Sequence, residues 1–266
     1  KYFLIASLAL LLVGCAFGGF ITAEDKVEKN FDTTGAPTVI LETFNGHITV
    51  QGHSGSEVEV EITRRGAGMS DAEARADLEN ILVETQQDGN TIHITIKRND
   101  LRGGNSGASV EIRLPSSSAL ELTTSNGHIT VEDVQGGTRA SSSNGNLQIT
   151  SGGGALNLAT SNGRIDIEAD QAAVNAVTSN GHIEFSGSLL SGAHSFNTSN
   201  AHVELNLPAD SSFTINASTS NAKVSSDFTV TGGSQSDNYL NGTVGSDPQA
   251  QITIATSNGK ISINRQ

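Results

Sequence analysis

The feature that most constrains this sequence is a short motif, T-S-N-G or a close variant of it, that recurs along its second half. The asparagines of the first four copies are 18 residues apart, and the later steps are 20, 21 and 37 residues. The copies occupy residues 124–127, 142–145, 160–163, 178–181, 198–201, 219–222 and 256–259. A fixed period this short predicts one structural unit that is repeated and stacked.

Apolar and polar residues alternate on both sides of each motif. After the first copy the apolar positions are Ile129 and Val131, and before it they are Leu120 and Leu122. A period of two is typical of a β-strand with one buried face. Each unit is therefore predicted to consist of two short strands around an Asn-Gly corner, followed by a return rich in Gly, Ser and Ala.

Two architectures fit such a unit. Asn-Gly between alternating runs is typical of a hairpin with a type I′ turn, which needs positive φ, and successive hairpins would form an antiparallel meander or barrel. Alternatively each unit is one coil, equivalent strands pair in parallel, and the asparagines stack as a ladder. The equal steps favour the coil, because stacked rungs must match in length. The sequence therefore predicts an all-β fold, a single-stranded β-solenoid (β-helix-like) of about 18-residue rungs.

Two copies of the motif end in alanine, at Ala201 and Ala222. If the corner requires a positive φ, an alanine there is strained, since a Cβ disfavours that conformation. These two rungs are therefore expected to turn differently.

The first part of the chain is less regular. Residues 39–50 contain F-N-G-H-I-T-V, a solitary copy of the corner, and residues 57–63 alternate as a strand. Ser70 begins a capping-box pattern for a helix that ends near Glu79, and a D-G-N turn at 88–90 joins two strands of a hairpin. Residues 39–114 are therefore predicted to form an irregular N-terminal cap with one short helix and a hairpin, and residues 115–266 the repeat β-solenoid.

The N-terminus has the pattern of a secretory signal. Lys1 precedes an apolar run over residues 2–13, and the sequence L-V-G-C ends at Cys15, which is the only cysteine. This resembles the lipobox of bacterial lipoproteins, in which the cysteine becomes the acylated first residue; an ordinary cleaved signal is the alternative. Residues 1–14 are then a lipoprotein signal peptide and residues 15–38 the lipidated cysteine and a tether. Ala16 and Phe17 are not acidic, which favours the outer membrane over retention at the inner one.

The segments EVEVEIT, ILVETQQDGNTIHITIKR and VEIRLPSSSALELTTSNGHITVEDVQG, followed by repeated S-N-G-x-I-x-V, resemble a bacterial domain family of unknown function whose members are catalogued as adhesins. The resemblance covers residues 39–266. It implies a β-solenoid on envelope proteins that are often lipid- or membrane-anchored, and it brings no catalytic residues. The implied function is that of a binding, adhesin-like or scaffolding module, with an envelope-stress sensing or regulatory lipoprotein as the alternative.

The outward positions after each corner form two columns. The first is basic or neutral and the second is partly acidic, which predicts charge pairing on a solvated face. His182, Glu184, His202 and Glu204 lie in adjacent units and are ligand types that zinc accepts. A flat strand surface lacks closed tetrahedral geometry, so no metal site and no cofactor are expected.

A polysaccharide-active β-helix enzyme is the third hypothesis. Tryptophan is absent, Tyr239 is the only tyrosine after the signal, and neither G-x-S-x-G nor a P-loop occurs, so the sequence predicts no enzyme. Residues 226–250 interrupt the repeat as a loop or a degenerate rung. This interruption carries Tyr239 and Leu240, which are the candidates for contact with a partner.

The chain is acidic, with 15 Lys and Arg against 28 Asp and Glu and a formal net charge of −13. This charge disfavours nucleic acid and anionic lipid surfaces as partners. The expected partners are the membrane, through the N-terminal lipid, and an envelope protein or glycan. The expected location is the bacterial cell envelope.

Overall fold

The computed structural model describes residues 20–99 and 105–266. Cys15 and the predicted signal therefore lie outside the described residues. The strands and the helix are, in chain order, β1 (Ile21–Asp32), β2 (Thr38–Thr43), β3 (Ile48–His53), β4 (Glu57–Gly68), α1 (Asp71–Glu79), β5 (Ile81–Asp88), β6 (Thr91–Arg98), β7 (Gly107–Pro115), β8 (Ala119–Thr124), β9 (Ile129–Glu132), β10 (Thr138–Ser142), β11 (Leu147–Thr160), β12 (Ile165–Val177), β13 (Ile183–Leu189), β14 (Gly192–Asn197), β15 (Val203–Leu207), β16 (Phe213–Thr219), β17 (Val224–Ser226), β18 (Thr231–Ser236), β19 (Tyr239–Val244), β20 (Ala250–Thr256) and β21 (Ile261–Arg265).

The strands form one open sheet with two ladders. The leading ladder contains the strands that precede a corner and, at its ends, the strands of two hairpins. Its spatial order is β5-β6-β2-β8-β10-β11-β12-β14-β20-β16-β19-β18. The trailing ladder contains those that follow a corner, in the order β1-β4-β7-β3-β9-β11-β12-β13-β15-β21-β17. Their inner faces supply one apolar core of alternating Ile, Val and Leu.

Equivalent strands of successive units pair in parallel and in register. Leu120 pairs with Thr138, and Thr138 pairs in turn with Leu156, so neighbours in the leading ladder are 18 residues apart. The same offset joins Leu147 to Ile165 in the trailing ladder. An antiparallel meander is therefore excluded for the repeats, and antiparallel pairs occur only towards the ends of the described sheet.

The spatial order of the rungs departs from the chain order at both ends of the stack. Strands β2 and β3 lie between β6–β7 on one side and β8–β9 on the other. Strands β20 and β21, the last in the chain, lie between β14–β15 and β16–β17. The rung at residues 38–53 is thus part of the stack, and the proposed boundary near residue 114 does not separate a cap from the repeat.

The first residue of each corner from residue 124 onwards is a buried hydroxyl that joins two rungs. Thr160 Oγ1 donates to the Gly145 carbonyl of the neighbouring rung at 3.0 Å and accepts the Gly163 N–H of its own rung at 3.2 Å. Ser142, Thr178 and Thr256 make the same pair of hydrogen bonds. The hydroxyl therefore satisfies two buried backbone groups that the strand ladders leave unpaired.

The asparagines form a ladder on the outside of the corner. Each Nδ2 donates to the Oδ1 of the next asparagine at 2.7–2.9 Å, in the spatial order 221, 258, 200, 180, 162, 144, 126. The predicted stacking of asparagines is therefore confirmed. The rung at Asn258 takes its place between those at 200 and 221, as the strand order requires.

At the corners that carry glycine, the stacked backbones nearly touch and leave no space for a Cβ, whereas the corners at Ala201 and Ala222 hold an alanine at the same position. A Cβ on Gly163 would lie 1.9 Å from the Gly145 carbonyl oxygen, and one on Gly259 would lie 1.6 Å from that of Ala201. Among the described corners, Gly46 is the one glycine with a positive φ. The expectation that Ala201 is strained by a positive φ is therefore wrong, and the same holds for Ala222.

The left-handed residues of the repeat lie at the opposite side of the rung. Asp133, Ser151 and Gln171 have positive φ values of 58°, 53° and 53° and stand where the chain returns from the trailing to the leading ladder. Strands β11 and β12 continue through this return, with register shifts near Gly152 and Ala169. The Gly/Ser/Ala-rich return is thus a bulged bend within a strand.

The N-terminal end is closed by the predicted helix and hairpin. Ser70 caps α1 by accepting the Glu73 N–H at 3.3 Å, and the helix buries Ala74 and Leu78. Strand β4 approaches it closely, since a Cβ on Gly66 would lie 2.3 Å from the Ala74 carbonyl oxygen. The proposed tether over residues 15–38 is wrong for β1, which pairs with β4 over its whole length.

Residues 226–250 are neither a protruding loop nor a degenerate rung. Strands β18 and β19 form a hairpin, and β19 pairs antiparallel with β16. The hairpin covers the C-terminal end of the leading ladder, and its outer strand is exposed throughout. The chain then returns to the stack, where β20 pairs between β14 and β16 and β21 pairs between β15 and β17.

Candidate functional site

The outer face of the trailing ladder carries the two predicted columns. In spatial order the first column is His47, His128, Asn146, Arg164, His182, His202, Lys260 and Lys223. The second is Thr49, Thr130, Gln148, Asp166, Glu184, Glu204, Ser262 and Ser225. We call this surface the column face. Apart from His47 and Thr49, its members were predicted from the alternation after each corner, and the parallel registers confirm that they are neighbours.

At its N-terminal end the first column completes the backbone hydrogen bonding of the corner. His47 Nδ1 accepts the His128 N–H at 3.2 Å, and His128 Nδ1 accepts the Asn146 N–H at 2.9 Å. The two imidazole rings stack with centroids 5.1 Å apart. Asn146 Oδ1 accepts the Arg164 N–H at 2.9 Å in the same way. These three side chains are acceptors for the next rung, so their role is structural.

Arg164 is the centre of an ion-pair cluster across two rungs. Its Nε donates to Asp166 of the same rung and its Nη2 donates to Glu184 of the next. The hydrogen bond and charge of Asp166, together with the charge of Glu184, raise the pKa of the Arg164 guanidinium. All three side chains are more than a third exposed, and pairs of this kind each stabilise a fold by only about 0–1 kcal/mol.

An open depression lies beside this cluster. Its volume is about 280 Å³, and it is lined by Gln148, Ile149, Thr150, Arg164, Asp166, Ile167, Glu168, Glu184 and Ser186. The size is at the lower limit of small-molecule pockets, which measure about 300–1,000 Å³. The lining is mainly polar, so the depression suits a polar group of a larger ligand.

The four candidate metal ligands do not surround a common point. The rings of His182 and His202 lie with centroids 3.9 Å apart, whereas Glu184 is paired with Arg164 and Glu204 accepts the Asn264 amide at 2.8 Å. Within residues 20–99 and 105–266, no three His, Cys, Asp or Glu side chains are placed to hold a metal ion. Burial lowers the pKa of His202, and the nearby His182 and Lys260 lower it further.

The partner candidates of the C-terminal hairpin differ in their exposure. Leu240 is buried opposite Ala217 and belongs to the core. Tyr239 is half-buried beside it and pairs with Ser218. Leu240 is therefore unavailable to a partner without opening of the hairpin.

Three polar groups that are buried or largely buried were not predicted from the sequence. His194 occupies a core position of the leading ladder, where Nδ1 accepts the Val174 N–H at 3.2 Å and Nε2 lies 2.9 Å from the Leu190 carbonyl. Burial lowers the pKa of His194, against the opposing effect of the Leu190 hydrogen bond. The alternation of His194 with Phe196 in β14 was the available signal for this position.

The other two groups lie in the N-terminal part. Arg64 pairs with the buried Asp25 and also donates to the Ile81 carbonyl at 2.7 Å. Asp77 accepts hydrogen bonds from Arg98 and from the Ser106 hydroxyl, and from the Ala67 N–H at 2.9 Å. Both sites join segments that are distant in the sequence, so no local pattern indicates them.

None of the helices in the described residues is long and apolar enough to span a membrane. The described chain is thus an all-β protein with one helix and an open sheet of stacked parallel strands. It belongs to the Toastrack DUF4097 family, whose sequence profile matches residues 39–264.

Solved structures of three other bacterial proteins are similar to this chain. A candidate cell adhesion protein of Clostridium sporogenes is 15% identical, with 91% of this chain and 100% of that chain covered at a TM-score of 0.43. A candidate adhesin of Bacteroides fragilis is 12% identical, with 90% and 96% covered at a TM-score of 0.38. A candidate lipid-binding protein of Parabacteroides distasonis is 11% identical, with 89% and 96% covered at a TM-score of 0.37. No curated protein matches the chain.

Proposed function

We propose that this protein is a lipid-anchored β-solenoid of about 18-residue rungs that acts as a non-catalytic binding or scaffolding module of the bacterial cell envelope. Cys15 carries the lipid, the outer membrane is the site of attachment, and an envelope glycan or protein is the partner. The motif of the corner supports a scaffolding role. Its hydroxyl, asparagine and glycine are all engaged between rungs, so the repeat itself holds the stack together.

The observation that carries the binding proposal is the cluster around Arg164. Its guanidinium and the two carboxylates are ordered around an open polar depression. Because exposed ion pairs contribute little to stability, these groups can exchange partners with a ligand at small cost. Hydroxyl and amide groups of a glycan, or a polar loop of a protein, are suitable partners for such a surface.

The same cluster is poorly suited to glycoside hydrolysis. That reaction uses two carboxyl groups, of which one acts as a general acid and so carries a proton. Here Asp166 and Glu184 both accept hydrogen bonds from Arg164, so neither carboxyl group is free to face a sugar as a separate proton donor. A binding role therefore agrees better with the arrangement than a catalytic one.

Binding to isolated envelope glycans and cell-wall fragments tests the proposal. We expect Arg164→Gln to weaken binding by roughly tenfold or more, the usual effect of losing a charged hydrogen bond. Arg139→Gln is the matched control, since Arg139 is exposed on the leading ladder. Hydrolysis of any polysaccharide in the same assay would contradict the non-catalytic role. Fatty-acid labelling that persists in Cys15→Ser would contradict the anchor.

A further inference from the structure

An exposed apolar cluster lies where the chain enters the described structure. Phe20, Ile21 and Met69 are 59%, 38% and 74% exposed, and they are three of the five large hydrophobic residues that are exposed in the described ranges. Ile21 and Gly68 are the last pair of the antiparallel β1–β4 ladder, so Phe20, which precedes Ile21, and Met69, which follows Gly68, lie at the same end of it. Single exposed apolar residues are common on protein surfaces, but a cluster of them indicates a contact.

The position of this cluster in the chain indicates the contact. Four residues lie between Cys15 and Phe20, and the five residue steps of an extended chain reach at most about 18 Å. If Cys15 is acylated, this end of β1 is held within that distance of the bilayer surface. A lipid anchor of one or two chains is strengthened by apolar side chains that enter the interface, so the tether and the cluster would act together.

The surrounding charges indicate the kind of lipid. Close to the cluster Asp71 is paired with Arg75 and Glu24 lies opposite Arg65, so Glu73 is the one further acid there among the described residues, while the whole chain has a formal net charge of −13. Acidic side chains are repelled by the negative potential of anionic lipids. A zwitterionic phospholipid surface is therefore the matching partner.

We propose that Phe20, Ile21 and Met69 form a membrane-docking surface that inserts into the interface of a zwitterionic bilayer and fixes the orientation of the stack on it. This inference depends on the proposed lipid anchor at Cys15. It goes beyond the anchor because a flexible lipid tether alone leaves the orientation of the domain free, whereas the apolar contact places the β1–β4 end against the membrane.

The composition of the chain allows a direct test. The chain contains no tryptophan and one cysteine, so Met69→Trp introduces a single fluorophore and Cys15 a single coupling position. Val177→Trp is the matched control, since Val177 is 40% exposed on β12 at the far side of several rungs. The full chain is placed on phosphatidylcholine–phosphatidylethanolamine vesicles with brominated acyl chains, once as the acylated protein and once coupled through Cys15 to a maleimide lipid.

We expect the emission of Met69→Trp to shift to the blue and to fall by roughly twofold on these vesicles, while Val177→Trp stays unquenched. Equal emission from both variants in the coupled sample, whether both are quenched or neither, would overturn the inference. The coupled sample separates the two proposals. Absence of fatty acid at Cys15 together with quenching at Met69 rejects only the anchor, whereas acylation without quenching rejects only the docking surface.

Discussion

Gly163→Ala tests whether corner glycines are required by close stacking or by backbone conformation. A Cβ at this position would lie 1.9 Å from the Gly145 carbonyl oxygen and 2.5 Å from its carbon. Both atoms belong to a backbone that is held on its two sides by parallel strands. The methyl group therefore cannot be accommodated by rotation of a side chain, and the two rungs must move apart at the corner.

The magnitude follows from what this movement disrupts. Overpacking of a close-packed site costs about 1–3 kcal/mol. Separation of the corners also lengthens the Thr160–Gly145 hydrogen bond and the Asn162–Asn144 hydrogen bond, each worth about 0.5–1.5 kcal/mol. The lower conformational entropy of unfolded alanine offsets about 0.4–1 kcal/mol. We expect Gly163→Ala to lower the free energy of unfolding by about 2–4 kcal/mol.

Urea unfolding followed by circular dichroism measures this change, and Gly89 supplies the matched control. Gly89 has a φ of +58° with open space around its α-carbon. Alanine there costs about 1–2 kcal/mol through conformation alone, and asparagine, which tolerates that region, costs less. At Gly163 asparagine should be at least as unfavourable as alanine, because any Cβ collides. If Gly163→Asn is tolerated while Gly163→Ala is not, the stacking argument is refuted.

Three further predictions concern the asparagine ladder and the buried titratable groups. Asn162→Ala removes two ladder bonds and should cost about 1–2 kcal/mol, whereas Asn221→Ala removes one and should cost about half as much in the same urea assay. Burial lowers the pKa of His194 in the folded protein. The stability that depends on the neutral imidazole is therefore complete above the unfolded pKa of about 6.5 and is lost as the pH falls below that value. We expect His194→Ile to reduce this acid destabilisation in thermal melts between about pH 7 and 5. Burial alone would raise the pKa of Asp77, but its hydrogen bonds to Ser106, Ala67 and Arg98 lower the pKa overall. The contribution of the Asp77 carboxylate to stability is therefore complete above about pH 3.9 and is lost as the pH falls below it. We expect the melting temperature of Asp77→Asn to depend less on pH between about pH 5 and 3 than that of the wild type.

Each of these predictions has an internal control. Ser161→Ala changes an exposed side chain in the same corner as Asn162 and should leave the free energy of unfolding unchanged. If Asn162→Ala and Asn221→Ala lower the free energy of unfolding equally, the hydrogen bonds of the ladder do not contribute additively to stability. A pH profile of His194→Ile that coincides with that of the wild type would place the acid sensitivity elsewhere, with His202 as the next candidate. If the melting temperature of Asp77→Asn depends on pH between about pH 5 and 3 as steeply as that of the wild type, Asp77 is not the source of the acid sensitivity there.

The local features of the fold were predictable because they depend on neighbours in the sequence. Alternating apolar residues determine which face of each strand is buried, and the 18-residue step determines that equivalent strands can align. The helix cap at Ser70 and the hairpin turn at Gly89 follow from short-range propensities. The two columns of the column face from His128 and Thr130 onwards follow from the same alternation.

Contacts between distant segments were not predictable, because many strands present equivalent edges in the same register. No local sequence pattern indicates that β20 and β21 insert between two earlier rungs. This insertion places Asn258 within hydrogen-bonding distance of both Asn200 and Asn221. Nor does any local pattern show that β1 pairs with β4, or that Arg164 joins a carboxylate of its own rung to one of the next. These features depend on which rungs become neighbours in space.

The sequence by itself therefore determined the T-S-N-G corner as a repeated unit, the alternation that fills the core, and the stacking of asparagines. Only the tertiary structure decided why a corner such as that at Gly163 needs glycine and in what order the rungs lie. The physical reason is that a side chain at Gly163 would collide with the backbone of a neighbouring rung, whereas the φ of Gly163 itself would allow other residues. That neighbour is known only when the strands have paired.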